Sequence, residues 1–432
     1  MSLTVFRSKN FHYAWIILLL TFIALLSAQG VRLSFGAFIT PWEEEFSTNR
    51  GMISLIAFVS YLVFAFSQPF IGRLIDRYGV RPILSFSILL VGLSTLLTFF
   101  VSSTWQLMIL YGVIASIGFG GSSNVAGTIA ISNWFVEKKG LALGLMSAGT
   151  AAGQLMLVPL SLILNDRYGW HTTVLILGAF LTFIVFPLLY LFIRTYPYEK
   201  NLTAYGDLSV HNPDEPVIQS KPKAHLSIFS LLRKKEFLFL MIPFFVCGIT
   251  TTGLMDTHLI PFAQYCGFSP TITGIAVSLL AGFNILGTVL SGFLADRWNP
   301  KYMLTFLYGT RACSIVLLLI IVHNTSLFGY FISQSHLLII FAISFGVVNF
   351  ATVAPTVKLA TDYFQNLSVG AVVGWLYLSH QIGSALGSFL PGLLFDYTGG
   401  YDLSFIASIL LLLVAATLSF LLPNTNQVSM TK

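Results

Sequence analysis

The sequence predicts an all-α membrane protein with twelve transmembrane helices in two pseudo-symmetric six-helix bundles. Three observations predict it. First, 56% of the 432 residues are hydrophobic and only 9% are charged, too little charge to cover a water-soluble protein of this size. Second, the apolar runs are about 20 residues long, which at 1.5 Å per helical residue crosses a bilayer core. Third, the charged run Gly72-Arg73-Leu74-Ile75-Asp76-Arg77-Tyr78-Gly79-Val80-Arg81-Pro82 has a weaker copy 220 residues later, Gly292-Phe293-Leu294-Ala295-Asp296-Arg297-Trp298-Asn299-Pro300-Lys301. Two such runs at equivalent places between long apolar segments indicate a duplicated chain.

The expected spans are 13–38, 52–71, 83–101, 106–131, 141–164, 172–194, 237–261, 271–293, 302–322, 336–357, 369–393 and 402–422. Arg7 and Lys9 precede the first, as in a signal peptide, but the run is too long and Glu43-Glu44-Glu45 follows without a convincing cleavage site. It reads as an uncleaved first helix. Between the sixth and seventh spans, 195–236 is polar and holds Pro197, Pro213, Pro216 and Pro222, the composition of a linker. The expected organisation is therefore a first bundle at 1–194, a cytoplasmic linker at 195–236 and a second bundle at 237–432. Ser227 to Glu236 is expected to form a short interfacial helix.

The halves echo each other elsewhere. Asn133-Trp134-Phe135 resembles Asp362-Tyr363-Phe364. Gly144 and Gly153 match Gly374 and Gly383, each 230 residues on, and Leu164-Asn165-Asp166-Arg167-Tyr168-Gly169 matches Leu394-Phe395-Asp396-Tyr397-Thr398-Gly399 at the same offset.

With an even number of spans both termini share one side, and 18 of the 22 Lys and Arg fall there. Arg50 and Arg167 lie on the other side, and Arg32 and Arg311 within spans. The positive-inside rule then puts both termini in the cytoplasm. The net charge of +6 reads as a basic face beside anionic lipid rather than a nucleic-acid surface. Cys247, Cys266 and Cys313 are scattered and suggest neither a disulfide framework nor a metal site.

The loop Gly72 to Arg81, of the form G-x-L-x-D-R-x-G-x-R, with its decayed copy between helices 8 and 9, resembles the signature of the major facilitator superfamily. The resemblance spans nearly the whole chain. It implies two bundles around a central cavity, substrate bound near mid-membrane, and alternating access by rocking. It also implies that Gly72, Asp76, Arg77, Gly79 and Arg81, with Asp296 and Arg297, gate the cytoplasmic side.

A narrower resemblance is to the monocarboxylate and oxalate–formate porters. It rests on Arg32-Leu33-Ser34-Phe35-Gly36-Ala37-Phe38, on Asn133-Trp134-Phe135 through Gly140-Leu141-Ala142-Leu143-Gly144, and on Ala148-Gly149-Thr150-Ala151-Ala152-Gly153. Helix 5 lacks the G-P-x-x-G-G run of drug–proton antiporters. Two positions depart from the porters' pattern. Helix 8 is uncharged, with Asn284 its most polar large residue, and helix 11 carries His380 where the porters carry a cation.

A charge at mid-bilayer costs about 3 kcal/mol and needs a partner, cavity water or a place near the edge. Arg32, late in helix 1, reads either as an interfacial anchor or as an anion-attracting group at the external mouth. Arg311 in helix 9 reads as structural or as part of coupling. Asp256 and His258 in helix 7 point about 200° apart on a regular helix, so both face one ligand only if the helix unwinds near Gly248, Gly253 and Pro261. His380 and Gln381 in helix 11 are substrate candidates, and histidine is a proton carrier near neutrality. Asn124 in helix 4 and Gln154 in helix 5 orient substrate or bridge helices. The substrate-binding candidates are thus Arg32, Asn124, Gln154, Asn284, His380 and Gln381; the coupling candidates are Asp256, His258, His380 and Arg311. Gly140, Gly144, Gly149 and Gly153 in helix 5, and Gly370, Gly374, Gly383 and Gly387 in helix 11, permit close backbone approach. The family's geometry makes that a sliding contact between bundles or static packing.

These readings converge on a plasma-membrane secondary transporter of a small organic anion, a monocarboxylate, with a coupling proton, surrounding membrane lipid and no cofactor. No G-x-x-x-x-G-K-[ST] loop indicates ATP, and no H-E-x-x-H indicates a membrane metalloenzyme. The alternatives are export of an amphipathic compound, a non-transporting sensor and a polytopic enzyme.

Overall fold

The computed structural model describes residues 12–207, 228–295, 297–323, 333–364 and 369–423. Ten helical segments among them are long and apolar enough to cross a membrane. One, Leu141–Phe192, runs for 52 residues and turns back at Gly169, whose φ of 77° and ψ of 163° lie outside any helix. Only glycine adopts that conformation without strain. Val369–Thr398 adds a further 30-residue helix, so the arrangement is consistent with twelve crossings.

We number these crossings α1 (Tyr13–Ala37), α2 (Arg50–Tyr78), α3 (Val80–Phe100), α4 (Thr104–Trp134), α5 and α6 (the arms before and after Gly169), α7 (Lys235–Tyr265), α8 (Pro270–Ala295), α9 (Pro300–His323), α10 (Gln334–Tyr363), α11 (Val369–Thr398) and α12 (Asp402–Phe420). Side chains start several of them. His12 accepts from the Ala14 N–H at 3.2 Å, and Asn49 from the Met52 N–H at 2.9 Å, satisfying donors that lack partners within the helix. Gly79, at φ 85°, makes the turn from α2 into α3.

Within each half, helices cross where glycine removes the side chain. Gly30 of α1 meets Gly153 of α5, and Gly253 of α7 meets Gly387 of α11. Gly149 and Gly153 lie on the backbone of Phe22 and Leu26, and Gly383 and Gly387 on that of Phe245 and Ile249. Of the two alternatives for the glycine stripes, the geometry is that of close packing within a half, not contact between bundles: Gly149 and Gly153 pack against α1, and Gly383 and Gly387 against α7, because backbone-to-backbone crossing needs bare surfaces. Gly144 and Gly374, nearer the loop joining α2 to α3, face open space.

The expected linker starts by folding back on the first half: the Tyr205 carbonyl accepts from the Val136 and Glu137 N–H groups, each at 3.0 Å. Of the expected helix before α7, the described residues hold one turn, Ile228–Leu231, and Ser227 lies outside them.

The two halves meet chiefly through α2 against α11 and α5 against α8. Their contacts lie toward one face. Phe58 packs on Phe389 at 5.7 Å between ring centroids. Ser278 donates to the Leu155 carbonyl at 3.3 Å, Tyr61 to the Thr252 carbonyl at 2.9 Å, and the side chains of Thr40 and Gln264 pair at 2.8 Å. All sit in the half of each helix remote from the α2–α3 and α8–α9 loops. We call this the sealed face and the other the loop face.

Candidate functional site

Both α4 and α10 break midway, and the breaks explain two buried residues. In α4 the helix stops at Ser122 and resumes at Asn124. Gln29 on α1 donates to the freed Phe119 and Ser122 carbonyls at 3.3 and 3.0 Å. In α10 the break is 349–352. Arg311 on α9, fully buried, donates to the Val348 and Asn349 carbonyls at 2.6 and 2.5 Å and to Cys247 Sγ at 3.2 Å. The Asn284 side-chain oxygen accepts the Phe350 N–H at 3.1 Å. A cation suits a helix C-terminus, where carbonyls and the helix dipole present negative charge. The Arg311 Nη2 is therefore compensated by backbone, while its Nε is buried without a partner.

Between the halves lies a small cleft lined by residues that include Arg32, Phe35, Tyr61, Tyr111 and Asp256. The Arg32 guanidinium sits 3.9 Å from the centroid of Phe64 and 4.7 Å from that of Tyr61, an orientation that favours a cation over a π-face. Its Nη1 donates to the Gln29 side-chain oxygen at 3.3 Å, while Nη2 is buried with no hydrogen-bond partner. The tyrosine hydroxyls do not meet it. Tyr61 donates to Thr252 and Tyr111 to the Arg32 carbonyl at 3.0 Å, leaving aromatic faces on the cleft wall.

On the facing helix, Gln154 donates to Asp256 Oδ1 at 3.1 Å across the boundary between halves. The Asp256 carboxylate is also within electrostatic reach of Arg32 and His380. His380 stacks near Phe244, 4.8 Å between centroids. Its Nδ1 lies 3.5 Å from the Ser384 hydroxyl, and its Nε2 is buried without a partner. A buried guanidinium N–H without a partner, on the wall of a cleft, is suited to an anionic oxygen.

α7 stays helical but widens into a π-type stretch at Ile249–Met255. Asp256 and His258 accordingly diverge. His258 is buried toward the sealed face, with Nε2 donating to the Ser388 carbonyl at 2.8 Å and Nδ1 3.3 Å from the Tyr401 hydroxyl.

Residues 17–357 match the profile of the Major Facilitator Superfamily. The chain belongs to that superfamily. It is 27% identical over 391 residues to the uncharacterized MFS-type transporter YcxA of Bacillus subtilis (strain 168), covering 90% of each. It is 24% identical over 417 residues to monocarboxylate transporter 13 of Rattus norvegicus, covering 95% of this chain and 89% of the relative. It is also 23% identical over 409 residues to the agnestins efflux protein AgnL12 of Paecilomyces divaricatus, covering 93% and 85%. Its fold is similar to that of a bacterial homolog of the human lysosomal transporter Spinster, in an inward-facing and unoccupied conformation. There the TM-score is 0.72 at 16% identity, with 98% of each chain covered. This major facilitator protein is thus a multi-pass membrane transporter.

Of the residues singled out from sequence, Arg32 and Asp256 share the cleft, Gln154 bonds Asp256 across the boundary, and His380 is within electrostatic reach of Asp256. Gln381 is half-buried beside them in sequence, and Asn124 is exposed at the α4 break. Asn284, Arg311 and His258 are held elsewhere, as described. Among the loop residues, Arg81 donates to the Tyr190 carbonyl at 3.1 Å in its own half. Arg77 lies 5.2 Å from the Tyr78 ring and Arg297 4.0 Å from the Phe293 ring. No Cβ at Gly72 would meet a neighbour. Asp296 and the side chain of Asp76 lie outside the described residues. Sequence reasoning missed Gln29, whose amide anchors the α4 break and orients Arg32; its position one turn before Arg32 was the available signal. It also missed the aromatic wall of Tyr61, Phe64 and Tyr111, because aromatics are everywhere in this chain.

Proposed function

We propose that this protein is a secondary transporter that moves a small monocarboxylate by alternating access, with Asp256 or His380 carrying a coupling proton. The observation that supports it is the unpartnered Arg32 Nη2, buried in a cleft between the halves. One guanidinium facing one carboxylate side chain suits a single negative charge better than two, since a second anionic group would meet Asp256. The monocarboxylate transporters among its relatives favour the same class. The domains rock about the boundary as units of 1–194 and 237–432, joined by 195–236. With both termini cytoplasmic in the plasma membrane, as the basic residues favour, the sealed face is external. Asp76, Arg77, Asp296 and Arg297 then engage only when the external face opens.

A second reading is export of an amphipathic compound. It rests on an apolar groove between α5 and α8, lined by Leu155, Pro159, Ile163, Gly274, Ile275 and Leu286 among others, and on the efflux protein among the relatives. Counterflow in proteoliposomes, with a panel of labelled mono- and dicarboxylates, separates the two. Counterflow with monocarboxylates supports the first reading. No carboxylate counterflow, together with export of an amphipathic cation or neutral compound, overturns it.

A further inference from the structure

The sealed face holds a contact between the halves that the substrate cleft does not use. Arg50 opens α2, whose first backbone N–H groups have no partners within the helix. The Arg50 and Gly51 N–H groups donate instead to the two oxygens of Asp396, at 3.0 and 2.6 Å. Asp396 belongs to α11, 346 residues away in the other half. A carboxylate of one half thus caps the helix of the other, and its charge also favours the positive end of the helix dipole. Residue 51 has to be glycine for this seat, because a Cβ there would lie 2.6 Å from Asp396 Oδ2.

The Arg50 side chain makes a second tie. It is 8% exposed and donates through Nε and Nη2 to both oxygens of Glu43, at 2.7 and 2.8 Å. Nη1 donates to the Tyr401 hydroxyl at 3.1 Å, and the guanidinium lies 4.1 Å from the Phe395 ring centroid. Tyr401 in turn hydrogen-bonds His258, whose other nitrogen donates to Ser388. With Nε2 the donor, Nδ1 accepts from the Tyr401 hydroxyl, and every group in the chain Arg50–Tyr401–His258–Ser388 has its donor and acceptor assigned.

We infer that Asp396 and Arg50 form the latch of the sealed face: their contacts hold the two halves together there and part each time that face opens. The inference uses the rocking motion of the proposed function but not the substrate. Loss of such a cap shifts an equilibrium by about five- to tenfold, enough to change how long the face stays closed while leaving the fold intact.

The test places a reporter beneath the latch. Ser54 is fully buried and packs on Gly392 of α11. In the full-length chain, Cys266 and Cys313 are replaced by serine and Ser54 by cysteine, with buried Cys247 left in place. Reaction with a membrane-impermeant maleimide is then followed from the sealed side. With Asp396 present, labelling should be slow. Asp396→Ala should speed it about five- to tenfold, whereas Asp396→Asn, whose single amide oxygen can accept from only one of the two N–H groups, should fall between. Arg50→Met removes the ties to Glu43 and Tyr401 but keeps the backbone donors, and it should raise the rate severalfold. This second variant decides the matter if Asp396→Ala does not reach the membrane. Unchanged labelling in Asp396→Ala or Arg50→Met overturns the latch. Labelling needs no substrate, so a chain that carries no carboxylate can still pass or fail this test.

Discussion

Gln154 on α5 donates a hydrogen bond to the carboxylate of Asp256 on α7, 3.1 Å away and 102 residues later in the chain. The bond crosses from one half to the other, so it exists only while the halves are closed at that level. A hydrogen bond to a charged group contributes about 1.5–3 kcal/mol. Asp256→Asn keeps an oxygen for Gln154 but removes the charge and the proton site. If Asp256 carries the coupling proton, this variant loses accumulation against a gradient and keeps counterflow. Both are read in the same proteoliposomes, and equal loss of the two would assign Asp256 to binding instead.

Arg32 should set charge recognition. Arg32→Lys retains a cation but not the planar fork that stacks on Phe64, so it should keep part of the uptake. Arg32→Gln should lose about tenfold or more in uptake at matched expression. Wild-type uptake by Arg32→Gln would return the residue to a packing role on Tyr61 and Phe64.

His380 should contribute to binding through its imidazole. Asp256 is within its electrostatic reach, and the Ser384 hydroxyl lies 3.5 Å from its Nδ1. His380→Gln keeps a donor but loses the ring beside Phe244, so apparent affinity should fall severalfold while counterflow stays measurable. Substrate titrations of both proteins check it.

Arg311 should matter for stability more than for recognition. Arg311→Met leaves the Val348 and Asn349 carbonyls unpaired inside the membrane, where there is no water to replace the donor. The expected cost is about 3 kcal/mol, seen as a lower melting temperature in detergent and weaker expression. Arg311→Lys keeps the charge and one donor direction and should fall between. A Met variant as stable as the parent would show that the α10 break holds itself.

Two glycines with positive φ should respond differently to alanine. At Gly169 a Cβ meets nothing within 4 Å, so Gly169→Ala carries only the backbone strain, of about 1–3 kcal/mol. At Gly79 the Cβ would lie 2.6 Å from the Thr195 hydroxyl oxygen, so Gly79→Ala should be the more destabilising. Thermal denaturation of the two variants side by side checks the order.

Much of this was legible before any coordinates. Apolar length marked the crossings, the repeated loop marked the duplication, and Tyr168-Gly169 and Tyr78-Gly79 fell at the two turns. The cleft was partly legible: Arg32, Gln154, Asp256 and His380 stand out because polar groups are scarce in apolar helices. Their partners were not. Arg311 read as structural or as part of coupling, with no partner to name, because its hydrogen bonds go to backbone carbonyls at a helix break, and carbonyls leave no mark in a sequence. Asn284 looked like a ligand for the same reason, with its partner the Phe350 N–H.

Hydrophobic length by itself determined that this chain crosses the membrane many times, because transfer free energy depends on composition alone, and the repeated loop marked its two related halves. Tertiary structure decided the rest. It chose which face of each helix turns inward, so that the glycines of α5 and α11 meet their own half. It also brought Asp396 to the first amides of α2 across 346 residues. A helix in lipid has its depth set by its own residues, but its rotation and its partners are set by packing against neighbours that arrive from elsewhere in the chain.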